Sequence, residues 1–167
     1  MLATTGINAM YPKVITVEQA HEIKKVLDKK LARQKALARP AVYKMLDTLV
    51  VGKMKLDWPA VFAILDRMQG VISVNEYSTP VDDEGRLLLD IACEGRNLLA
   101  ARTLLEKYNA DPNRGDMTAL MIACAEGDMP VVKLLLQYGG NPYKKASNGM
   151  TSFDLAANQP DVLRILK

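Results

Sequence analysis

The sequence predicts an all-α fold, a solenoid of stacked helix pairs whose amino-terminal end is covered by further helices. The first observation is a threefold internal repeat that aligns residue for residue at offsets of 31 and 33, at 87–93, 118–124 and 151–157. The second is that each copy is followed by a segment rich in large aliphatic residues, at 100–105, 131–136 and 162–167. A fixed period near 33 residues with two helical segments in each unit is typical of a solenoid.

The first segment of each unit carries two adjacent small residues, Ala92–Cys93, Ala123–Cys124 and Ala156–Ala157. Small side chains let neighbouring helices approach closely, whereas the large aliphatic residues of the second segments cannot be covered within one unit. Several units must therefore stack to form one continuous core.

Residue types at the segment ends predict where the helices begin and end. Thr118 and Thr151 precede the first segments and are good N-caps. Asn109 and Gly139–Gly140 follow the second segments and suit a left-handed C-terminal cap.

At these residues the chain resembles the ankyrin-repeat family. The resemblance implies helix pairs joined by hairpin fingers, with three repeats at 83–113, 114–143 and 144–167 inside a solenoid that spans 76–167. The family's usual Thr-Pro-Leu-His tetrad is Leu87–Asp90, Thr118–Met121 and Thr151–Asp154 here, so its Pro and His are absent. Their absence predicts weaker coupling between neighbouring fingers.

The fingers also differ in length. Asn113 to Thr118 is five steps, Tyr143 to Thr151 is eight, and the connection between Gly70 and Leu87 is longer than usual for the family. The resemblance therefore implies an uneven binding edge.

Two further segments are predicted upstream of the repeats. Residues 1–39 hold an irregular arm and a basic helix, which begins at the capping box of Thr16 and Gln19 and runs to about Ala38, where Pro40 halts it. Residues 40–75 are interpreted as a diverged capping repeat. In this segment Val61–Leu65 matches the frame of Val131–Leu135, and Asp57 is placed to cap a helix.

Composition sets limits on the class of protein. The chain has 167 residues and 49% hydrophobic residues, which is enough for a sizeable core. No apolar run reaches the roughly 20 residues of a membrane span, and the amino terminus lacks the features of a secretory signal. Cys93 and Cys124 are interpreted as small buried residues rather than a disulfide. These features predict a cytoplasmic, monomeric protein, or a host-cell location if the chain belongs to a translocated bacterial effector.

Charge is uneven along the chain. Up to Trp58 there are eleven Lys or Arg against five Asp or Glu, whereas the remainder is mildly acidic. Lys25, Lys29 and Arg33 share one face of the predicted basic helix and could meet a nucleic acid or a membrane surface. A solvated helix surface is the favoured interpretation.

Motifs for catalysis, cofactors and metals are absent from the sequence. His21 is the one histidine and has no nucleophile motif beside it. There is no phosphate-binding glycine loop, and Asp82–Glu84 lacks the ligand spacing of a calcium loop. We therefore expect no enzyme activity, no cofactor and no metal site.

The resemblance implies a non-catalytic module that binds a partner protein through the concave surface of fingers and inner helices. A recognition domain of a longer effector or enzyme is the first alternative, and a polyanion adaptor working through helix 16–38 is the second. Carried over position by position, the partner-binding residues are Asp83, Glu84, Arg86, Glu94, Met117, Met121, Ala125, Glu126, Asn148 and Met150. Met121 could equally pack between fingers. This mixture favours a partner with a basic patch and an apolar anchor.

Overall fold

The computed structural model describes residues 17–51, 55–69, 73–76 and 86–167. These residues form eight α-helices and one antiparallel pair of two-residue strands. The predicted all-α class is therefore confirmed. The chain divides after Leu37 into two compact units.

Helix α1 spans Val17–Leu49 and contains Pro40. The prediction that Pro40 ends this helix near Ala38 is wrong. A proline inside a helix removes one backbone hydrogen bond and crowds the carbonyl four residues earlier. The residues around Pro40 are mostly Ala, Leu, Lys, Arg and Met, whose helix propensity sustains the helix through that defect. Thr16, the predicted N-cap, lies outside the described residues.

The segment before the repeats contains a strand pair and a capped helix. Strand β1 (Val50–Val51) pairs antiparallel with β2 (Lys55–Leu56). Helix α2 spans Trp58–Arg67, and the side chain of Asp57 accepts the Ala60 N–H at 3.3 Å. The predicted cap at Asp57 is confirmed.

The repeats contain three helix pairs. Each pair consists of an inner and an outer helix, namely α3 (Leu88–Glu94) with α4 (Leu98–Tyr108), α5 (Ala119–Glu126) with α6 (Met129–Gln137), and α7 (Ser152–Leu155) with α8 (Pro160–Leu166). Inner helices pack on inner helices and outer helices on outer ones, so the pairs stack as two layers.

The small pairs lie in the core between these layers. Ala92–Cys93 and Ala123–Cys124 are fully buried, and both cysteines are free thiols. In the third repeat Ala156 is buried but Ala157 is exposed, because α7 ends at Leu155. Close helix packing at the small pairs therefore holds for the first two repeats and partly for the third.

Most of the predicted helix ends are confirmed. The Thr118 hydroxyl accepts the Met121 N–H at 3.3 Å. Asn109 and Gly139 adopt the left-handed conformation, with φ of 52° and 82°. Thr151 is also the N-cap, of α7, but its backbone N–H and its hydroxyl both donate to the Asp154 carboxylate at 2.7 Å.

A tyrosine at the end of each of two outer helices hydrogen-bonds to a carboxylate on the preceding helix of that layer. The Tyr108 hydroxyl donates to Asp66 on α2 at 2.8 Å, and the Tyr138 hydroxyl donates to Glu106 on α4 at 3.1 Å. Helix α2 thus meets α4 through the same contact by which α4 meets α6.

A pair of hydrogen bonds made by one asparagine side chain recurs in the same way. Asn75 bonds the Asn109 carbonyl and the Asp111 N–H at 3.1 and 2.7 Å. One repeat later, Asn113 bonds the Gly139 carbonyl and the Asn141 N–H at 2.8 and 2.7 Å. Both contacts recur at consecutive positions along the stack, and the interpretation of 40–75 as a diverged repeat stays a prediction.

Candidate functional site

A pocket of about 340 Å³ opens between the fingers and the inner helices. We call residues 111–117 the second finger and 144–150 the third finger, and we call this cavity the finger pocket. Charged and amide side chains meet two apolar side chains in its wall, which is lined by Arg86, Asp90, Glu94, Gly115, Asp116, Met117, Ile122 and Asn148. The pocket therefore draws on all three repeats.

An ion pair forms one wall of the finger pocket. Arg86 Nη1 lies 2.5 and 2.6 Å from the two carboxylate oxygens of Glu94. The Glu94 side chain is only 13% exposed, so water screens this pair weakly. The pair fixes the Glu94 carboxylate at the end of α3.

Asp90 is a buried carboxyl group beside that ion pair. It is 4% exposed and accepts the Leu87 N–H at 2.9 Å, which ties it to the first turn of α3. Burial raises the pKa of Asp90 to about 7, helped by the Glu94 carboxylate; the Leu87 N–H and the Arg86 guanidinium act in the opposite direction. The Asp90 carboxyl group therefore gains or loses its proton near neutral pH.

The second and third fingers are joined by hydrogen bonds. Asp116 accepts the Ser147 N–H at 2.8 Å and the Ser147 hydroxyl at 2.7 Å, and these bonds hold the pKa of Asp116 below its usual value. The Lys144 ammonium donates to the carbonyls of Asn113 and Gly115, both at 2.7 Å. Asp116 and Lys144 thus link the two fingers in the absence of the family histidine, and the expected weaker coupling stays a prediction.

The structure brings four of the predicted site residues together. Arg86, Glu94, Met117 and Asn148 all line the finger pocket. Met117 is 42% exposed, and Asn148 is exposed while its side-chain oxygen accepts the Met150 N–H at 3.0 Å. Met150 is 37% exposed but is not among the lining residues.

Two predicted residues at the end of α5 have other contacts. The Ala125 carbonyl accepts a hydrogen bond from Gln159, and Arg96 donates to the Glu126 carbonyl and lies 3.5 Å from its carboxylate. They do not line the finger pocket.

The prediction that Met121 contacts a partner is wrong. Its side chain is fully buried, so it cannot contact a partner, and packing between fingers stays a prediction. Asp83 and Glu84 lie outside the described residues. Lys25, Lys29 and Arg33 are exposed on α1, and their polyanion role stays a prediction.

Four pocket residues, Gly115 among them, are not among those that the sequence predicts. Asp90 and Ile122 belong to inner helices, and Asp116 belongs to the short second finger. The sequence does contain a signal for Asp90. It is an acidic residue at the third position of a helix whose N-cap is a large aliphatic residue, and an acidic residue is an unusual choice for a buried position.

The described residues lack two further features, a cluster of metal ligands and a membrane-spanning helix. There, no group of three or more His, Cys, Asp and Glu side chains is placed to hold a metal ion. The described helices include none that combines the length and apolar character needed to cross a membrane.

Comparisons with known proteins match the repeats. The family model for ankyrin repeats (3 copies) matches residues 89–167. The Drosophila melanogaster transient receptor potential channel pyrexia is 40% identical over 67 residues, which is 38% of this chain and 7% of that protein. Rat ankyrin repeat and SAM domain-containing protein 6 is 38% identical over 87 residues, which is 48% of this chain and 10% of that protein.

A third relative is more distant. Caenorhabditis elegans ankyrin repeat and KH domain-containing protein mask-1 is 31% identical over 75 residues, 43% of this chain and 3% of that protein. The chain thus spans a tenth or less of the length of these curated relatives. The threefold match and the helix pairs agree, and residues 89–167 of this chain belong to the ankyrin-repeat family.

Proposed function

We propose that this chain is a non-catalytic module that binds a segment of a partner protein across its fingers and inner helices, with the finger pocket as the anchor point. Ankyrin repeats are a general protein–protein interaction module, and the family is typically non-catalytic. The observation that carries the proposal is the finger pocket, where four residues expected at the binding surface meet in one concave site.

The chemistry of the pocket favours a basic side chain from the partner. Glu94 and Asp116 bring two carboxylates to the wall beside the buried Asp90 carboxyl group, whose pKa is about 7, against one guanidinium from Arg86. A lysine or arginine could place its charged end near these oxygens and its aliphatic stem along Met117 and Ile122. The ion pair between Arg86 and Glu94 would then orient the Glu94 carboxylate toward the incoming cation.

Apolar contact would come from exposed methionines beside the pocket. Met117 and Met150 are both partly exposed, and methionine adapts its shape to an irregular surface. This arrangement supports a partner segment in which a basic residue lies next to a large apolar one. We further propose a cytoplasmic location, where the free thiols of Cys93 and Cys124 would remain reduced.

A displayed library of random peptides tests the proposal, because it offers the pocket partner segments of every composition. Selection on the full chain should enrich peptides with Lys or Arg beside a large apolar residue. Their affinity should fall about fivefold or more in Met117→Ala and in Asp116→Asn, as expected for contacts near the centre of an interface.

Lys133→Ala is the matched control, because Lys133 is exposed on outer helix α6. This variant should bind the selected peptides as the parent does. Enrichment of acidic peptides, or equal affinity of the parent and both pocket variants, would contradict the proposal. Thermal melts separate lost binding from lost folding.

A further inference from the structure

The first part of helix α1 presents large apolar side chains to solvent. Ile23, Leu27 and Leu31 are 49%, 58% and 49% exposed. They recur every four residues, so they form one row along the helix, which we call the apolar stripe. Val26 and Leu37 are also exposed and lie to one side of the stripe.

Cations border the apolar stripe on both sides. With about 100° of rotation per residue, the flanking positions lie roughly 60–120° from Leu27. Lys24 and Lys35 occupy one side, together with Asp28, and Lys30 and Arg33 occupy the other. Glu18 and Glu22 lie on the opposite side of the helix. Between 17 and 39 the helix carries seven Lys or Arg against three Asp or Glu.

We propose that helix α1 lies along an anionic phospholipid surface, with the apolar stripe entering the headgroup boundary and the flanking cations contacting lipid phosphates and carboxylates. This arrangement is the one expected of an interfacial amphipathic helix, in which long basic side chains reach the headgroups from the edges of the apolar face. It goes beyond the proposed partner binding and does not depend on the finger pocket.

Two other occupants fit the helix less well. The positions seven residues from Leu27 are Ala20 and Gln34, which are too small or too polar for the seam of a coiled coil with a second copy. A nucleic acid would use the cations but would leave the apolar stripe in water. An anionic lipid surface satisfies both features, since it is negatively charged outside and apolar beneath.

Vesicle flotation with the full chain tests the proposal. The probe is phosphatidylcholine vesicles containing about one third phosphatidylserine, with pure phosphatidylcholine as the neutral comparison. The parent should float with the anionic vesicles, and the bound fraction should fall with added salt. The variant Ile23→Gln/Leu27→Gln/Leu31→Gln should lose about tenfold or more in partition coefficient, because its apolar contact is removed.

Two variants of equal net charge test the position of the cations. Lys24→Gln/Lys35→Gln removes charges beside the stripe, and Lys25→Gln/Lys29→Gln removes two from the far side of the helix. The first should weaken binding to anionic vesicles about tenfold, and the second by less than about threefold, since attraction to the surface decays over a Debye length near 10 Å.

Several outcomes would overturn the proposal. They are absence of flotation of the parent, unchanged flotation of the stripe variant, or equal loss in the two charge variants. Retention on duplex nucleic acid that is independent of the stripe would favour the polyanion alternative instead. Circular dichroism and the melt of the repeats confirm that each variant remains folded.

Discussion

The same position of the inner helix meets different surroundings in successive repeats. Asp90 and Met121 are buried in the first and second repeats, whereas Asp154 is exposed in the third. Burial raises the pKa of Asp90, but the N–H and hydroxyl of Thr151 lower the pKa of Asp154. Two aspartates that align in sequence therefore carry opposite shifts.

The second finger accounts for part of this difference. Gly115 lies near Asp90, because a methyl group on its Cα would be in ordinary van der Waals contact with the carboxylate, at 3.9 Å. Asp154 instead keeps its carboxylate in water, where local donors stabilise the charged form. The comparison teaches that residue type alone does not set the burial of this position, since an aspartate is buried in one repeat and exposed in another.

The largest expected effect comes from placing an aspartate in the second repeat. Met121→Asp would remove a fully buried side chain and bury a carboxylate in its place. We expect a loss of about 4 kcal/mol in unfolding free energy, measured by chemical denaturation at neutral pH. Met121→Leu keeps the volume and is the control, with a loss below about 1.5 kcal/mol. A Met121→Asp variant as stable as the parent would show that this position is accessible to water.

Asp90→Asn tests the buried aspartate by its dependence on pH. The pKa of Asp90 is raised in the folded state above its ordinary value of 3.8, so the folded chain keeps this proton as pH rises while the unfolded chain loses it. The parent should therefore lose stability between about pH 4 and pH 7, and Asp90→Asn should be spared that loss, which is about 4 kcal/mol for a shift of this size. Asparagine can still accept the Leu87 N–H. A stability difference that does not change with pH would contradict the buried, protonated carboxyl group.

Alanine substitutions at the two finger glycines should have smaller effects on stability, and the two can be compared directly. Gly115 and Gly149 have φ of 84° and 81°, so alanine is strained at both positions. At Gly115 the added methyl would also lie 3.1 Å from the Met117 carbonyl, whereas at Gly149 nothing lies within 4 Å. We expect losses of about 2 kcal/mol for Gly115→Ala and about 1 kcal/mol for Gly149→Ala. The reverse order in thermal melts would mean that the second finger is not closely packed.

The smallest effect is expected at the exposed aspartate. The pKa of Asp154 is lowered in the folded state, so its contribution to stability is present above its ordinary value of 3.8 and disappears as pH falls through the folded value. Asp154→Asn should lower the melting temperature slightly at neutral pH and leave it unchanged in strong acid. An increase in stability at neutral pH would mean that this carboxyl group is buried as Asp90 is.

Local signals explain how much of the fold was predictable. The repeat period, the small pairs and the caps at Thr118 and Asn109 depend on residues within one turn of each other or on a fixed offset. The prediction that Pro40 ends α1 was wrong because the effect of this proline depends on the helix propensity of the residues on both sides of it. The position of the proline alone does not show whether the surrounding helix propensity outweighs its cost.

The candidate site was less predictable because its contacts join different repeats. Arg86, Glu94, Met117 and Asn148 could be carried over by position, since the family's binding face is periodic. The burial of Met121 and the hydrogen bonds from Ser147 to Asp116 depend on how separate parts of the chain pack together. No local pattern encodes that geometry.

A carboxyl-carbon NMR titration of Asp90 and Asp154 in one sample tests most directly whether the neighbouring finger shapes the finger pocket. The structure predicts that the Asp90 carboxyl group titrates with a pKa of about 7 and that Asp154 titrates below its ordinary value of 3.8. The Gly115→Ala variant should move the first titration and leave the second in place. Titration of both aspartates together near the ordinary value would contradict the account, since it would mean that Asp90 is not enclosed by the second finger.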